Sequence, residues 1–119
     1  MKTLASLAGL IFALALAPTR ADASTVADCQ AAITTLTTQT EATAFLRGDK
    51  GAKVQSQLVF HLEKASFELD QSDPQEALKQ MGNYSTNLER AVRSESIAPE
   101  DAALLQTVAD GVVACIQTL

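Results

Sequence analysis

The chain has 119 residues, of which 47% are hydrophobic and 19% are charged, and its formal net charge is −5. A chain of this length accommodates one small domain rather than several. Its acidic balance, without a cluster of Lys or Arg, makes nucleic acids and anionic membrane surfaces unfavourable partners, because both are themselves negatively charged. We therefore expect a small acidic domain that binds neither.

The first 23 residues have the three parts of a secretory signal peptide. Lys2 supplies the positive charge, the run 4–17 contains no charged residue, and Ala21-Asp22-Ala23 is a small-residue cleavage site. The run is shorter than the ~20 apolar residues of a membrane span, although an uncleaved N-terminal anchor is the alternative. We expect 1–23 to be removed, which leaves 24–119 as a single secreted or periplasmic domain with a net charge of −6 and no membrane span.

Two cysteines, Cys29 and Cys115, stand near opposite ends of this domain. An even number of cysteines in an exported chain predicts one disulfide. The bond would close a loop of more than eighty residues, which the chain-entropy treatment values at ~4 to 5 kcal/mol. A zinc site is the alternative, but the chain has no Cys-x-x-Cys motif and His61 is its only histidine.

Two apolar stripes flank the segment from Ser72 to Glu76. Within each stripe the residues recur at steps of three and four, which places them on one face of a helix. The stripes are Val54, Leu58, Leu62, Ala65 and Leu69 before the segment, and Ala77, Met81, Tyr84, Leu88 and Val92 after it. Between them, Asp73 is a suitable N-cap, Pro74 fits the first helical position, and Glu76 completes a capping box. These signals predict a helical hairpin.

The helices of the hairpin are predicted from residue 50 or 52 to 70 and from 74 to about 93. Gly48, Asp49 and Gly51 interrupt the pattern before the first of these helices and predict a loop or sharp bend. Asp49 is the candidate cap of the helix that follows.

A further helix is predicted within 24–46, before the hairpin. One of its faces carries Val26, Cys29, Ile33, Leu36, Thr40 and Ala44. Five threonines between Thr34 and Thr40 lower the helix propensity, because a branched side chain restricts the χ1 angle. A short strand or a frayed start is therefore the alternative for this segment.

The last predicted helix begins at Pro99. Glu100 and Asp101 follow this proline and face the positive end of the helix dipole. Its apolar face carries Leu105, Val108, Val112, Cys115 and Ile116.

The two cysteines fall on the apolar faces of the first and last helices, so these helices should lie side by side. The predicted fold is all-α: a small four-helix bundle, with three strongly patterned helices and a weaker N-terminal one, tied by one disulfide. Its shared core is predicted to contain Leu62, Leu69, Met81, Leu88, Leu105 and Val112.

The segment 58–116 also carries an ordered set of core positions. They are Leu62, Ala65, Leu69, Asp73, Ala77, Met81, Tyr84, Leu88, Ile97, Ala102, Leu105 and Ala109. This pattern resembles the bacterial FIMAH domain, a small helical module found mostly at the ends of secreted hydrolases and other extracellular multidomain proteins. The chain departs from the family at Tyr84, where Phe is usual, at Ser85, which replaces an aliphatic residue, and at Ser72, which replaces Gly. The resemblance implies a helical fold and a secreted, non-catalytic protein, and it supplies no catalytic residues.

The sequence offers little from which to build an active site. His61 is the only candidate general base, and its helical neighbours Gln57, Lys64 and Ala65 cannot orient an imidazole as a carboxylate would. Haem ligation by His61 and Met81 is disfavoured, because a methionine in an apolar stripe is normally a packing residue. We expect His61 to lie at the edge of the core, and we expect no cofactor, no metal and no enzymatic activity.

Three functions remain for such a module. The first is binding of a protein or cell-surface partner, the second is a structural role as a subunit or spacer of an envelope assembly, and the third is transport of a small apolar ligand. A carrier needs a closed apolar pocket of ~300 Å³ or more, whereas a binding module needs an exposed apolar patch.

Two phenylalanines depart from the pattern of the second helix. Phe60 and Phe67 are seven residues apart and point away from the stripe of Leu58 and Leu62. Either the first helix covers both rings, or they form an exposed stripe of the kind that anchors protein interfaces. We predict that Phe60 and Phe67, with Phe45 from the preceding loop as a third residue, contact the partner.

Overall fold

The computed structural model describes residues 24–119, so the signal-peptide prediction for 1–23 lies outside the described residues. The described chain forms four helices: α1 (Val26–Ala42), α2 (Asp49–Asp70), α3 (Pro74–Arg93) and α4 (Pro99–Gln117). Each helix packs against its neighbours in the chain, and α4 closes the bundle against α1. The all-α prediction of a four-helix bundle tied by one disulfide is confirmed.

The core lies between the four helices and contains the residues that the stripes predict. The exposed fraction is at most 2% for each member of the predicted shared core, which comprises Leu62, Leu69, Met81, Leu88, Leu105 and Val112. Ile33 and Leu36 of α1 and Ile97 before α4 are buried with them. The bundle therefore buries the faces that the three- and four-residue spacing identifies.

α1 is a regular helix of 17 residues in spite of its threonines. A capping box that the sequence analysis missed begins it: the Thr25 hydroxyl accepts the Asp28 N–H, and the Asp28 carboxylate accepts the Thr25 N–H. Five hydroxyl groups donate to the carbonyl four residues earlier, those of Thr34, Thr35, Thr37, Thr40 and Thr43. The alternative of a strand or frayed start is wrong, because the hydroxyls are satisfied within the helix.

The predicted disulfide joins Cys29 of α1 to Cys115 of α4, with the two Cα atoms 5.6 Å apart. Cys29 is fully buried and Cys115 is half-buried against the core. The bond links the beginning of α1 to the end of α4, so the two helices run antiparallel. It also withdraws both thiolates from metal binding, which removes the zinc alternative.

α2 begins earlier than predicted, at Asp49, and spans 22 residues. Its N-cap is Gly48, at φ 56°, so Asp49 is not the cap. Gly51 is buried in the first turn, where an added Cβ would collide with the carbonyl group of Leu46. Gly51 therefore marks a close approach of two backbone segments rather than an interruption of the helix.

The connection between α2 and α3 differs in one detail from the predicted capping box. The Asp73 carboxylate accepts the Glu76 N–H at 3.1 Å, as expected of an N-cap. However, the Asp73 N–H donates to the Glu68 carbonyl and the Ser72 N–H donates to the Leu69 carbonyl. These two bonds form a Schellman motif, with Ser72 at φ 59°, where glycine is usual. The Asp73 amide is thus already bonded, and the Glu76 side chain does not complete the box.

A buried hydrogen bond connects α1 and α3 across the diagonal of the bundle. The Tyr84 hydroxyl lies 2.9 Å from the Thr40 Oγ1, and Thr40 donates to the Leu36 carbonyl at 2.8 Å. Tyr84 therefore donates to Thr40. Burial raises the pKa of Tyr84 to about 12. The bond explains why a polar residue occupies the apolar row of α1, opposite a tyrosine rather than a phenylalanine.

Candidate interaction surface

The outward face of α2 exposes two large aromatic side chains. Phe60 and Phe67 are 55% and 56% exposed. Seven residues of helix separate them by ~10.5 Å along the axis, so both rings project from the same side. α1 packs against α2 but does not cover either ring. The interpretation in which the first helix buries them is therefore wrong.

The residues between and around the two rings are polar and solvent-exposed. Glu63 and Lys64 lie between the rings, and Lys53 and Gln71 lie beyond them at either end. At ~100° per residue, this side of α2 is directly opposite the buried stripe that contains Leu62. We call Phe60, Glu63, Lys64 and Phe67 the outer stripe of α2.

His61 supports one end of the outer stripe. Its Nδ1 lies 3.0 Å from the Oε1 of the buried Gln80 on α3. The Phe60 and His61 ring centroids are 5.5 Å apart in an edge-to-face arrangement. His61 is half-buried, as predicted for a residue at the core edge. The contact with α3 fixes the imidazole, and the imidazole in turn favours one orientation of the Phe60 ring.

Gln30 of α1 contacts α2 beside Phe67, at the other end of the outer stripe. Its Nε2 donates to the Ser66 carbonyl at 3.1 Å and to the Asp70 Oδ1 at 2.7 Å. Both acceptors flank Phe67 on α2. The contact between α1 and this part of α2 therefore follows the flank of the helix and leaves the Phe67 ring exposed.

Phe45 has a different environment from the other two phenylalanines. It is half-buried and packs against the core. The loop that carries it is bound to the α3–α4 connection, since the Leu46 N–H donates to the Ser96 carbonyl at 2.7 Å and Arg47 donates to the Ser94 carbonyl. The structure thus places Phe45 at one end of the bundle as a packing residue, apart from the outer stripe.

Leu104 on α4 is 68% exposed, although no sequence pattern predicted a functional role for it. The feature of the sequence that predicts its exposure is its position next to Leu105, which places it off the apolar stripe of α4. It borders a cleft of about 500 Å³ lined by Gln39, Ala42, Thr43, Ala44, Asp101, Leu104, Leu105, Thr107 and Val108. This cleft is open to solvent, so it is not the closed pocket that a carrier of small apolar ligands needs.

The two halves of the bundle differ in charge. Every charged residue on α1 and α4 is acidic: Asp28, Glu41, Glu100, Asp101 and Asp110. The basic side chains of the four helices all lie on α2 and α3, where they are interspersed with acidic ones. The outer stripe of α2 is therefore set in a surface of mixed sign, whereas the α1–α4 side is uniformly negative.

Residues 24–119 contain no group of three or more His, Cys, Asp or Glu side chains placed to hold a metal ion. None of the helices in this range is long and apolar enough to cross a membrane. Comparison of the chain with family models, with curated proteins and with solved structures gave no match. The functional interpretation therefore depends on the chain's own residues, and foremost on the outer stripe of α2.

Proposed function

We propose that this protein is a non-catalytic helical module that binds a protein or cell-surface partner through Phe60 and Phe67. The observation that carries the proposal is the exposure of more than half of each ring on one face of one helix. A phenylalanine side chain offers ~150 to 250 Å² of area, so the pair presents a substantial apolar surface to water. Aromatic residues surrounded by polar ones are characteristic anchors of protein interfaces.

The bundle holds the outer stripe in a rigid position. α2 is 22 residues long, and it packs against α1 on one side and α3 on the other. Because the backbone under both rings is already ordered, binding requires little loss of conformational entropy. A rigid pair of anchors also fixes the spacing of the apolar sites that a partner must supply.

The disulfide supports an exported, extracellular or periplasmic setting for this binding, since disulfides persist mainly in oxidising compartments. The FIMAH-like pattern of core residues agrees with a secreted, non-catalytic role. The absence of catalysis is further supported by the state of the reactive groups: both cysteines are bridged, and the Nδ1 of His61 is hydrogen-bonded to Gln80.

A double variant tests the proposal. Phe60→Ser with Phe67→Ser removes both anchors, and Leu104→Ser on the helix diagonal to α2 is the matched control. We expect wild type and the control to capture the same partner from the native source in cross-linking and mass spectrometry, and the double variant to lose it. The melting temperatures of all three proteins should agree closely, because none of the changes is in the core.

Two results would contradict the proposal. If the double variant retains the partner, then the outer stripe does not contact it. If the double variant loses several kcal/mol of stability, then the two rings belong to the packed interior, since substitutions of truly exposed residues usually change stability by less than about 0.5 kcal/mol.

A further inference from the structure

We propose that the cleft between the end of α1 and the start of α4 binds a basic amphipathic helix of a second partner protein, laid along α4. This site is separate from the outer stripe of α2, so the inference goes beyond the proposed function and does not depend on it. Three observations carry it: the lining of the cleft, the distribution of charge over the bundle, and a glycine on α4 that the packing of the bundle does not require.

The cleft has a mainly apolar lining and a size that suits a ligand. It measures about 500 Å³, and five of its nine lining residues are apolar, namely Ala42, Ala44, Leu104, Leu105 and Val108. Ligand sites in proteins typically measure ~300 to 1,000 Å³. Because this cleft is open, it fits an elongated ligand that inserts its apolar side chains and leaves its polar face in water.

The charged groups at the cleft are acidic. Asp101 lines it, and Glu100 precedes Asp101 at the exposed start of α4. Neither carboxylate forms an ion pair within residues 24–119, where the single ion pair joins Arg47 to Glu95. The C-terminal end of α1 and the N-terminal end of α4 lie together here, so their opposite dipole ends offset each other. The carboxylates therefore set the potential at the cleft, and it is negative.

The net charge of the domain is concentrated on the two helices that form the cleft. α2 and α3 carry six basic and six acidic side chains, whose charges cancel, whereas α1 and α4 carry five acidic side chains and no basic one. A helix with Lys or Arg on its polar face is attracted along these helices over ~25 Å. Nucleic acids, anionic membranes and a second copy of this surface are repelled. The charge therefore selects a basic partner.

A glycine on α4 marks where the backbone of the partner helix approaches. Gly111 follows Leu104 by seven residues, so it lies ~10.5 Å further along the axis on the same side of α4. A Cβ added at Gly111 would meet no heavy atom within 4 Å, so the bundle does not require glycine there. Glycine inside a helix lowers its stability relative to alanine but lets another backbone come close. The contacts at Leu104 and Gly111 together place the bound helix along α4.

A synthetic peptide tests the chemistry of the partner. The probe is a fluorescently labelled peptide of Leu and Lys, about 18 residues long so that it can form a helix, with its leucines on one helical face. One control peptide has Glu in place of every Lys, and the other has Ser in place of every Leu. Fluorescence anisotropy should show that the protein binds the probe at least about tenfold more tightly than either control, and more weakly as salt is added.

Substitutions in the protein locate the bound peptide. Leu104→Ser should weaken binding of the Leu/Lys peptide about tenfold, because it removes the exposed apolar side chain of the cleft. Asp101→Asn should weaken it about threefold, because it removes one carboxylate and keeps the size of the side chain. Matched controls on α2 remove two exposed apolar side chains, with Phe60→Ser and Phe67→Ser together, or one acidic charge, with Glu63→Gln. Both controls should bind the peptide like wild type.

Gly111→Ala gives a readout that a purely structural glycine would not. It should raise the melting temperature, because alanine favours the helix and its methyl group meets nothing in the bundle. It should also weaken peptide binding about fivefold or more, because the methyl group obstructs the approach of the partner helix. Gly82→Ala on α3, where an added Cβ likewise meets no atom within 4 Å, is the control. It should raise the melting temperature and leave peptide binding unchanged.

Several results would overturn the inference. Equal binding of the control peptides would show that the cleft does not select a basic apolar helix. Binding that is insensitive to Leu104→Ser and Asp101→Asn, or to Gly111→Ala, would place the peptide elsewhere on the bundle. Self-association that Leu104→Ser abolishes would mean that a second copy covers the cleft. None of these results bears on the proposed function, whose partner is retained by Leu104→Ser and lost with Phe60→Ser and Phe67→Ser.

Discussion

The two faces of α2 use hydrophobic side chains in opposite ways. On the inner face Leu58, Leu62 and Leu69 are at most 2% exposed, whereas on the outer face Phe60 and Phe67 are more than half exposed. The inner residues account for the stability of the bundle. The outer residues are nearly as apolar but contribute little to it, so their presence requires a different explanation. An interaction with another surface supplies one.

The largest expected effect comes from removing the disulfide that helps to hold α1 over the inner face of α2. α1 covers the inner face of α2 and is itself tied to α4 by the bond between Cys29 and Cys115. The double change Cys29→Ala and Cys115→Ala should lower the free energy of unfolding by up to about 4 to 5 kcal/mol, because the unfolded chain gains freedom. Urea denaturation measures this loss. A double variant with the same free energy of unfolding as wild type would show that the disulfide does not stabilise the bundle.

A pair of truncations compares the two faces directly. Leu62→Ala should cost about 2 to 5 kcal/mol, because it opens a cavity in the core. Phe60→Ala, two residues earlier on the same helix but facing outward, should cost less than about 0.5 kcal/mol. Both variants can be measured in the same chemical denaturation series. Equal losses would mean that the two faces do not differ as the structure shows.

The buried tyrosine gives a test through pH. Burial raises the pKa of Tyr84 to about 12 from its usual value of 10. The unfolded chain therefore releases this proton first, so stability should fall as the pH rises above 10, by about 2 kcal/mol at pH 12. Tyr84→Phe should abolish this part of the pH dependence.

The titration can be observed without interference, because Tyr84 is the only tyrosine and the chain has no tryptophan. Tyrosinate absorbance in the folded protein should rise near pH 12 and not near 10. A midpoint near 10 in the folded protein would show that the hydroxyl is exposed to solvent rather than buried.

The smallest expected effect concerns the turn that joins α2 to α3. Ser72 adopts φ 59°, a conformation that costs a non-glycine residue about 1 to 2 kcal/mol. Ser72→Gly should therefore stabilise the protein by about 0.5 to 1 kcal/mol, after the entropy that glycine adds to the unfolded chain is counted. Ser72→Ala is the control and should give no gain, since it retains the Cβ. A thermal melt of the three proteins measures the difference, and neither face of α2 is altered.

The helices with strong start signals could be predicted from the sequence almost to the residue. α3 spans Pro74–Arg93 as expected, because the Asp73 cap, the proline and the apolar stripe agree. The start of α2 could not be predicted as closely, because Gly51 interrupts the pattern although it lies inside the helix. A glycine is needed at this position because its backbone approaches the Leu46 carbonyl, and this approach depends on the path of the loop.

The surface was harder to predict than the core. The angular position of Phe60 and Phe67 follows from helical geometry, but their exposure depends on where α1 packs, and nothing in the sequence of α2 encodes that. The bond between Thr40 and Tyr84 was missed for a similar reason. It crosses the diagonal of the bundle, and only the assembled arrangement of all four helices brings the two hydroxyls together.

The most direct test of the account is amide NMR of the protein with and without the partner that wild type captures. If the outer stripe of α2 contacts this partner, the amides of Phe60, Glu63, Lys64 and Phe67 should shift when the partner is added, while those around Leu104 stay unchanged. The same spectra of the protein with Phe60→Ser and Phe67→Ser should show no shifts. Shifts centred on α4, or wild-type spectra that do not change when the partner is added, would contradict the account.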